Sequence, residues 1–112
     1  MGLKETLSFF ESCKGDYPEK SLKILTGLIY GLFRASDGKL SLEMDAAVGP
    51  DEDLNVYWDD GVHHMNLEVS TDELPFWFYC NRSDESFFGE EVEDVDAPPP
   101  DSIVKAAEAF YV

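Results

Sequence analysis

The residues of this 112-residue chain with reactive or metal-binding side chains are two adjacent histidines, His63 and His64, two cysteines, Cys13 and Cys80, and 24 carboxylates. Imidazole and carboxylate together suit zinc, and His63, His64 and Glu68 stand close in sequence. Adjacent residues of a strand point to opposite faces, however, so the two rings cannot enter one coordination shell without a bulge. His64, Asn66 and Glu68 share a face, which gives two ligands where zinc takes three or four. Asp51-Glu52-Asp53 with Asn55 begins like a calcium loop. The spacing then fails, because Val56 and Val62 occupy the sixth and twelfth positions, where an EF-hand needs glycine and a bidentate glutamate. The sequence therefore specifies no metal and no other cofactor.

Covalent and acid-base chemistry find equally little support. GxSxG, GxGxxG and a Walker lysine are all missing. Cys13 and Cys80 read as residues of a helix and a strand, in apolar company with no base beside them, and as free thiols rather than a disulfide. The carboxylates fall in turns, where water levels the pKa differences an acid-base pair requires. The expectation is a protein that is not an enzyme.

Charge distribution is more informative. The net charge is −16, and residues 51–101 hold 16 acids against one base, Arg82, whereas residues 1–50 hold 7 acids against 6 bases. Such a field repels nucleic acid and anionic membranes and attracts basic proteins. The densest stretch, GEEVEDVDAPPPDS from Gly89 to Ser102, supplies Glu90, Glu91, Glu93, Asp94 and Asp96 as an acidic strip. Asp59, Asp60, Asp84 and Glu85, in turns at one or both ends of the sheet, extend it. Trp77, Tyr79, Phe87 and Phe88 are the candidate apolar anchors, since binding energy concentrates in a few large side chains.

The elements that position these groups follow from periodicity. Leu3, Leu7 and Phe10, with Cys13 a step on, make a helical stripe that stops at Gly15. Asp16-Tyr17-Pro18 starts a second helix with Leu22, Leu25, Leu28, Ile29, Leu32 and Phe33 on one side. Gly27 and Gly31 either let that helix pack closely on the first or simply weaken it. After the turn Ser36-Asp37-Gly38-Lys39, LSLEMD begins a short strand or an extended connection. From Leu54 the period becomes two. Leu54, Val56 and Trp58 share a face, Asp59-Asp60-Gly61 turns, and His63, Met65, Leu67 and Val69 share the next. PFWFYCNR is a third strand, with Phe76, Phe78 and Cys80 on one side and Trp77 and Tyr79 on the other, and SFFGEEV forms a fourth, at the edge. The prolines 98–100 make a stiff linker, after which Asp101 or Ser102 caps a helix with Ile103, Ala106, Ala107 and Phe110 inward.

The whole chain, residues 1–112, is thus expected to be a single two-layer α+β domain: a helical half over 1–35, an antiparallel meander of three or four strands over about 40–92, the linker 97–100 and a C-terminal helix over 101–112. No stretch has the roughly 20 apolar residues of a membrane span, and MGLKETLSFFESCK has no signal-peptide pattern, so the expected location is cytoplasmic. Gly2 and Thr6 satisfy only the loose pattern for myristoylation.

Pro50 with Trp58, then Leu67-Glu68-Val69, then Trp77-Phe78-Tyr79 set this order of elements beside a known pattern. It resembles a family of small acidic bacterial proteins with a helical half, a Trp-terminated strand, a Leu-Glu-Val strand and a Trp-Phe-Tyr strand, over some two thirds of the chain. Asp72-Glu73-Leu74-Pro75 departs from that family's Asp-Gly turn. The family has no settled activity, so the resemblance implies a fold and no function. The functional expectation rests on charge: a non-catalytic protein that presents carboxylates to a basic partner. A phage or plasmid inhibitor that mimics the phosphate track of nucleic acid, of anti-restriction or anti-CRISPR type, would do so, as would an antitoxin or immunity protein. The alternative is an accessory domain that binds a protein through an exposed aromatic row, with acidity serving solubility.

Overall fold

The computed structural model describes residues 1–112. Helix α1, Leu3–Ser12, starts where the Glu5 carboxylate turns back to accept the Gly2 N–H at 3.0 Å. Its buried face centres on Thr6 and Phe10, four residues apart, while Leu3, Leu7 and Cys13 lie at its margins. Tyr17 then fixes the approach to the second helix by donating its buried hydroxyl to the Phe10 carbonyl. Helix α2, Glu19–Ala35, begins directly after Pro18 and buries Ser21, Leu25, Leu28, Ile29 and Leu32. A β-carbon at Gly27 or Gly31 would meet nothing within 4 Å, so these glycines weaken the helix and do not serve close packing.

Five strands follow, paired antiparallel in chain order: β1 Asp45–Val48, β2 Leu54–Asp59, β3 His63–Val69, β4 Phe76–Asn81 and β5 Ser86–Glu91. The meander therefore has one strand more than expected. Its first strand begins at Asp45, beyond the LSLEM segment, and Leu40 makes only an isolated bridge with Tyr111. Helix α3 is shorter than expected, Asp101–Ala107, and passes into a 3-10 turn at Glu108–Phe110. Neither Asp101 nor Ser102 caps it. Pro100 stands at the cap, and the Ser102 hydroxyl donates to Glu90 at 2.9 Å instead.

All three helices lie on one face of the sheet. That face contributes Leu54, Val56, Trp58, Met65, Leu67, Val69 and Trp77 to a single core with Phe10, Leu25, Ile29, Leu32, Ile103, Ala107 and Phe110. Trp58 and Trp77 stack within it, ring centroids 6.5 Å apart, and the Trp58 N–H donates to the Ser41 carbonyl at 2.9 Å. The opposite face of the sheet has no helix on it. The architecture is α+β in two layers, and no helix is long and apolar enough to cross a membrane.

Candidate functional site

Alternation along the strands decides what the bare face carries. The side chains that point away from the core are Asp45 and Ala47 from β1, Asn55, Tyr57 and Asp59 from β2, His64, Asn66 and Glu68 from β3, Phe76, Phe78 and Cys80 from β4, and Phe87 and Glu91 from β5. An aromatic row crosses the strands here. The Tyr57 and His64 rings lie 5.8 Å apart, His64 and Phe78 6.4 Å, and Phe78 and Phe87 6.5 Å. Phe87, at 73% exposure, is the most exposed aromatic residue of the chain. The row persists on β5 because Gly89 has no side chain to displace the Phe76 ring.

A meander places alternate turns at the same end of the sheet, and the carboxylates divide accordingly. One end carries the β2–β3 turn and the β4–β5 turn, with Asp59, Asp60, Asp84 and Glu85. Here Asp59 and Asp60 are matched by basic groups. Arg82 donates to both oxygens of Asp59 at 2.9 and 2.8 Å, and His64 Nδ1 lies 3.0 Å from the same carboxylate. The Arg82 bonds, the Gly61 N–H and His64 hold the Asp59 carboxyl well below the usual carboxylate range. Asp60 takes the His63 ring at 2.8 Å and the Val62 and His63 N–H groups, and its pKa falls to about 2, mainly through His63.

The other end has no such partners. Asp51, Glu52 and Asp53 of the β1–β2 turn face Glu68, Asp72 and Glu73 of β3 and its following turn across an open hollow of about 560 Å³ that also includes Pro50, Ser70 and Thr71. Glu91, Glu93, Asp94 and Asp96 follow at the same end, where the Val92 N–H bonds the Pro75 carbonyl at 2.8 Å. Six carboxylates thus line this hollow with no Lys, Arg or His among them, and four more lie at the same end, from Glu91 of β5 onward. Partial burial, then repulsion from Asp53 and Glu73, raises the Glu68 pKa. No group of three or more His, Cys, Asp or Glu side chains is arranged to hold a metal ion.

The residues picked from the sequence fall into separate places. Asp59, Asp60, Asp84 and Glu85 lie about one strand length, some 20 Å, from Glu93, Asp94 and Asp96, so they do not extend the same strip. Glu90 points to the helical side and holds Ser102, which takes it out of the strip. Trp77 is fully buried and belongs to the core, so it is not a surface anchor. Tyr79 and Phe88, rings 5.5 Å apart, are half-buried on the helical side beside Ala106 of α3. Phe87 alone of the four anchors stands on the bare face. Tyr57, Phe76 and Phe78, which join it there, were not singled out in the sequence, nor was the grouping of Asp51–Asp53 with Glu68, Asp72 and Glu73.

Cys13 and Cys80 are both free and half-buried. Cys80 is not in purely apolar company, as its sequence neighbours suggest. Register puts it directly opposite His64, itself opposite Asp59. Compared with family models, curated proteins and solved structures, the chain matches none.

Proposed function

We propose that this is a non-catalytic binding protein that takes a basic protein partner on the bare face of its sheet. One observation carries the reading: the bare face bears an aromatic row that ends in the exposed Phe87 beside Arg82, and Phe76, paired with Glu68 and Glu91, joins this apolar face to the acidic opposite end of the sheet. This is the layout of an interface in which an apolar patch supplies affinity and flanking charge supplies orientation and encounter rate. The partner class is a basic nucleic-acid enzyme, whose phosphate-binding groove the carboxylates would occupy as an inhibitor, antitoxin or immunity protein does. Kinship with the small bacterial proteins that the strand signatures resemble forms part of the same proposal.

The accessory-domain reading draws support from the exposure of Phe87, and salt separates the two. Tagged protein is used to capture partners from lysate at about 50 and 300 mM salt, a range over which screening removes surface attraction. The expected result is a basic protein held at low salt and released at high salt. Its retention falls both for Phe87→Ser and when Asp72, Glu73, Glu93 and Asp94 become amides. Capture that ignores salt but fails for Phe87→Ser favours the accessory reading, and capture indifferent to both sets of changes overturns the proposal.

A further inference from the structure

We infer that Cys80 is a thiol-exchange site for low-molecular-weight disulfides, with His64 as its base and Asp59 as a positioning residue. The inference stands apart from partner binding. Asp59, His64 and Cys80 occupy matching positions on β2, β3 and β4, all on the bare face. An ionised carboxylate only accepts hydrogen bonds, so the 3.0 Å contact with Asp59 Oδ2 places the proton of neutral His64 on Nδ1 and leaves Nε2 basic. Directly opposite side chains on paired strands stand about 5 Å apart at Cβ. No hydrogen bond joins the thiol to the ring in this structure, so the proposed transfer requires a rotamer change of the half-buried Cys80 toward Nε2.

The surroundings suit the reaction. Cys80 lines a shallow hollow of about 320 Å³ with Phe78, Phe87, Arg82 and Glu85. The rings offer an apolar wall to the organic group of a disulfide. Arg82, fixed on Asp59, brings a positive charge to the same hollow. Cys13 is a control within the same chain. It follows α1 with the Ser12 hydroxyl 3.9 Å from its sulfur and lines its own hollow with Phe9, Asp16 and Glu52, without a histidine.

In the step proposed, His64 Nε2 takes the Cys80 proton and the sulfur attacks one sulfur of R–S–S–R. The S–S bond breaks, Cys80–S–S–R forms, and the departing thiolate recovers the proton as R–SH. The disulfide is the only oxidant required.

Neutral dithiodipyridine, whose thiopyridone product is coloured, avoids repulsion by the acidic chain. Applied to the folded full-length protein, it should react with Cys80 in a Cys13→Ser variant at least tenfold faster at pH 7 than with Cys13 in a Cys80→Ser variant. Adding His64→Asn to Cys13→Ser should slow the reaction about tenfold and move the midpoint of its pH profile upward. If circular dichroism shows that variant unfolded, Asp59→Asn is read in its place, with slowing and the same upward shift expected. Equal reactivity of the two cysteines, or a rate and pH profile unmoved in a folded variant, overturns the proposal.

Discussion

The Phe76 ring occupies the space that a side chain at position 89 would need: a β-carbon built on Gly89 overlaps the end of the ring. The contact is diagonal across β4 and β5, because Gly89 is paired with Phe78 and Phe76 with Glu91. The bare aromatic face therefore depends on a missing side chain as much as on the rings themselves. Gly89→Ala must turn Phe76 outward, and we expect a loss of about 1 kcal/mol in denaturant unfolding, at the low end of overpacking costs. An unchanged midpoint would show that the ring moves without cost.

Trp77 and Phe87, on opposite faces of the sheet, should differ sharply in their response to truncation. Trp77→Ala empties the centre of the core and should cost about 3–5 kcal/mol, whereas Phe87→Ala removes an exposed ring and should stay within about 0.5 kcal/mol. Trp77→Phe should cost less than its lost volume suggests, since it also removes a buried N–H that has no partner. Thermal and urea unfolding of the three variants tests the order.

Gly27 and Gly31 lie within α2 with open space where their side chains would be. Gly27→Ala and Gly31→Ala should each stabilise the protein, by up to about 1 kcal/mol, through helix propensity alone. Destabilisation by either would mean that another part of the chain approaches α2 more closely than the structure shows.

Stability should peak in mild acid. The Glu68 pKa is raised in the fold, so the folded state binds that proton more readily, and stability grows as pH falls through its folded value, above about 4.5. Asp59 and Asp60 are depressed in the fold, so their contribution is complete above about 4 and is lost as pH falls toward 2. Urea midpoints measured from pH 7 to pH 2 should rise and then fall. Glu68→Gln should flatten the first limb and Asp59→Asn the second, and a steady decline from pH 7 would contradict the assignment.

Much of the fold is legible in the sequence because its signals are local. The period-two run from Leu54 to Val69, broken at Asp59-Asp60-Gly61, specifies the central hairpin, and the structure places Gly61 at φ 93°, where glycine is favoured. The sequence leaves LSLEMD open between a short strand and an extended connection because the four residues of β1, two of them alanine, carry no pattern without β2 beside them. The acidic end is hidden for a different reason: Asp51–Asp53 and Glu68–Glu73 are distant in the chain and meet only because alternate turns of a meander share an end. Alternation separates Trp77 from Phe78 but cannot say which side is covered; the stack on Trp58 settles that. The pairing of His64 with Cys80 likewise depends on register across β3 and β4, which residue types alone do not fix.

Strand order follows chain order throughout the sheet, so every pairing closes a short loop and the sheet can zip outward from the β2–β3 hairpin. The longest closures join the C-terminus to the segment before β1, where the Ser41 N–H bonds the Phe110 carbonyl and the Val112 N–H bonds the Lys39 carbonyl. During synthesis α1, α2 and the β2–β3 hairpin emerge before α3. Until that helix docks on β4, the inner side of β4 is uncovered as well as the bare face, and the heavy load of carboxylates keeps such half-built chains apart by mutual repulsion.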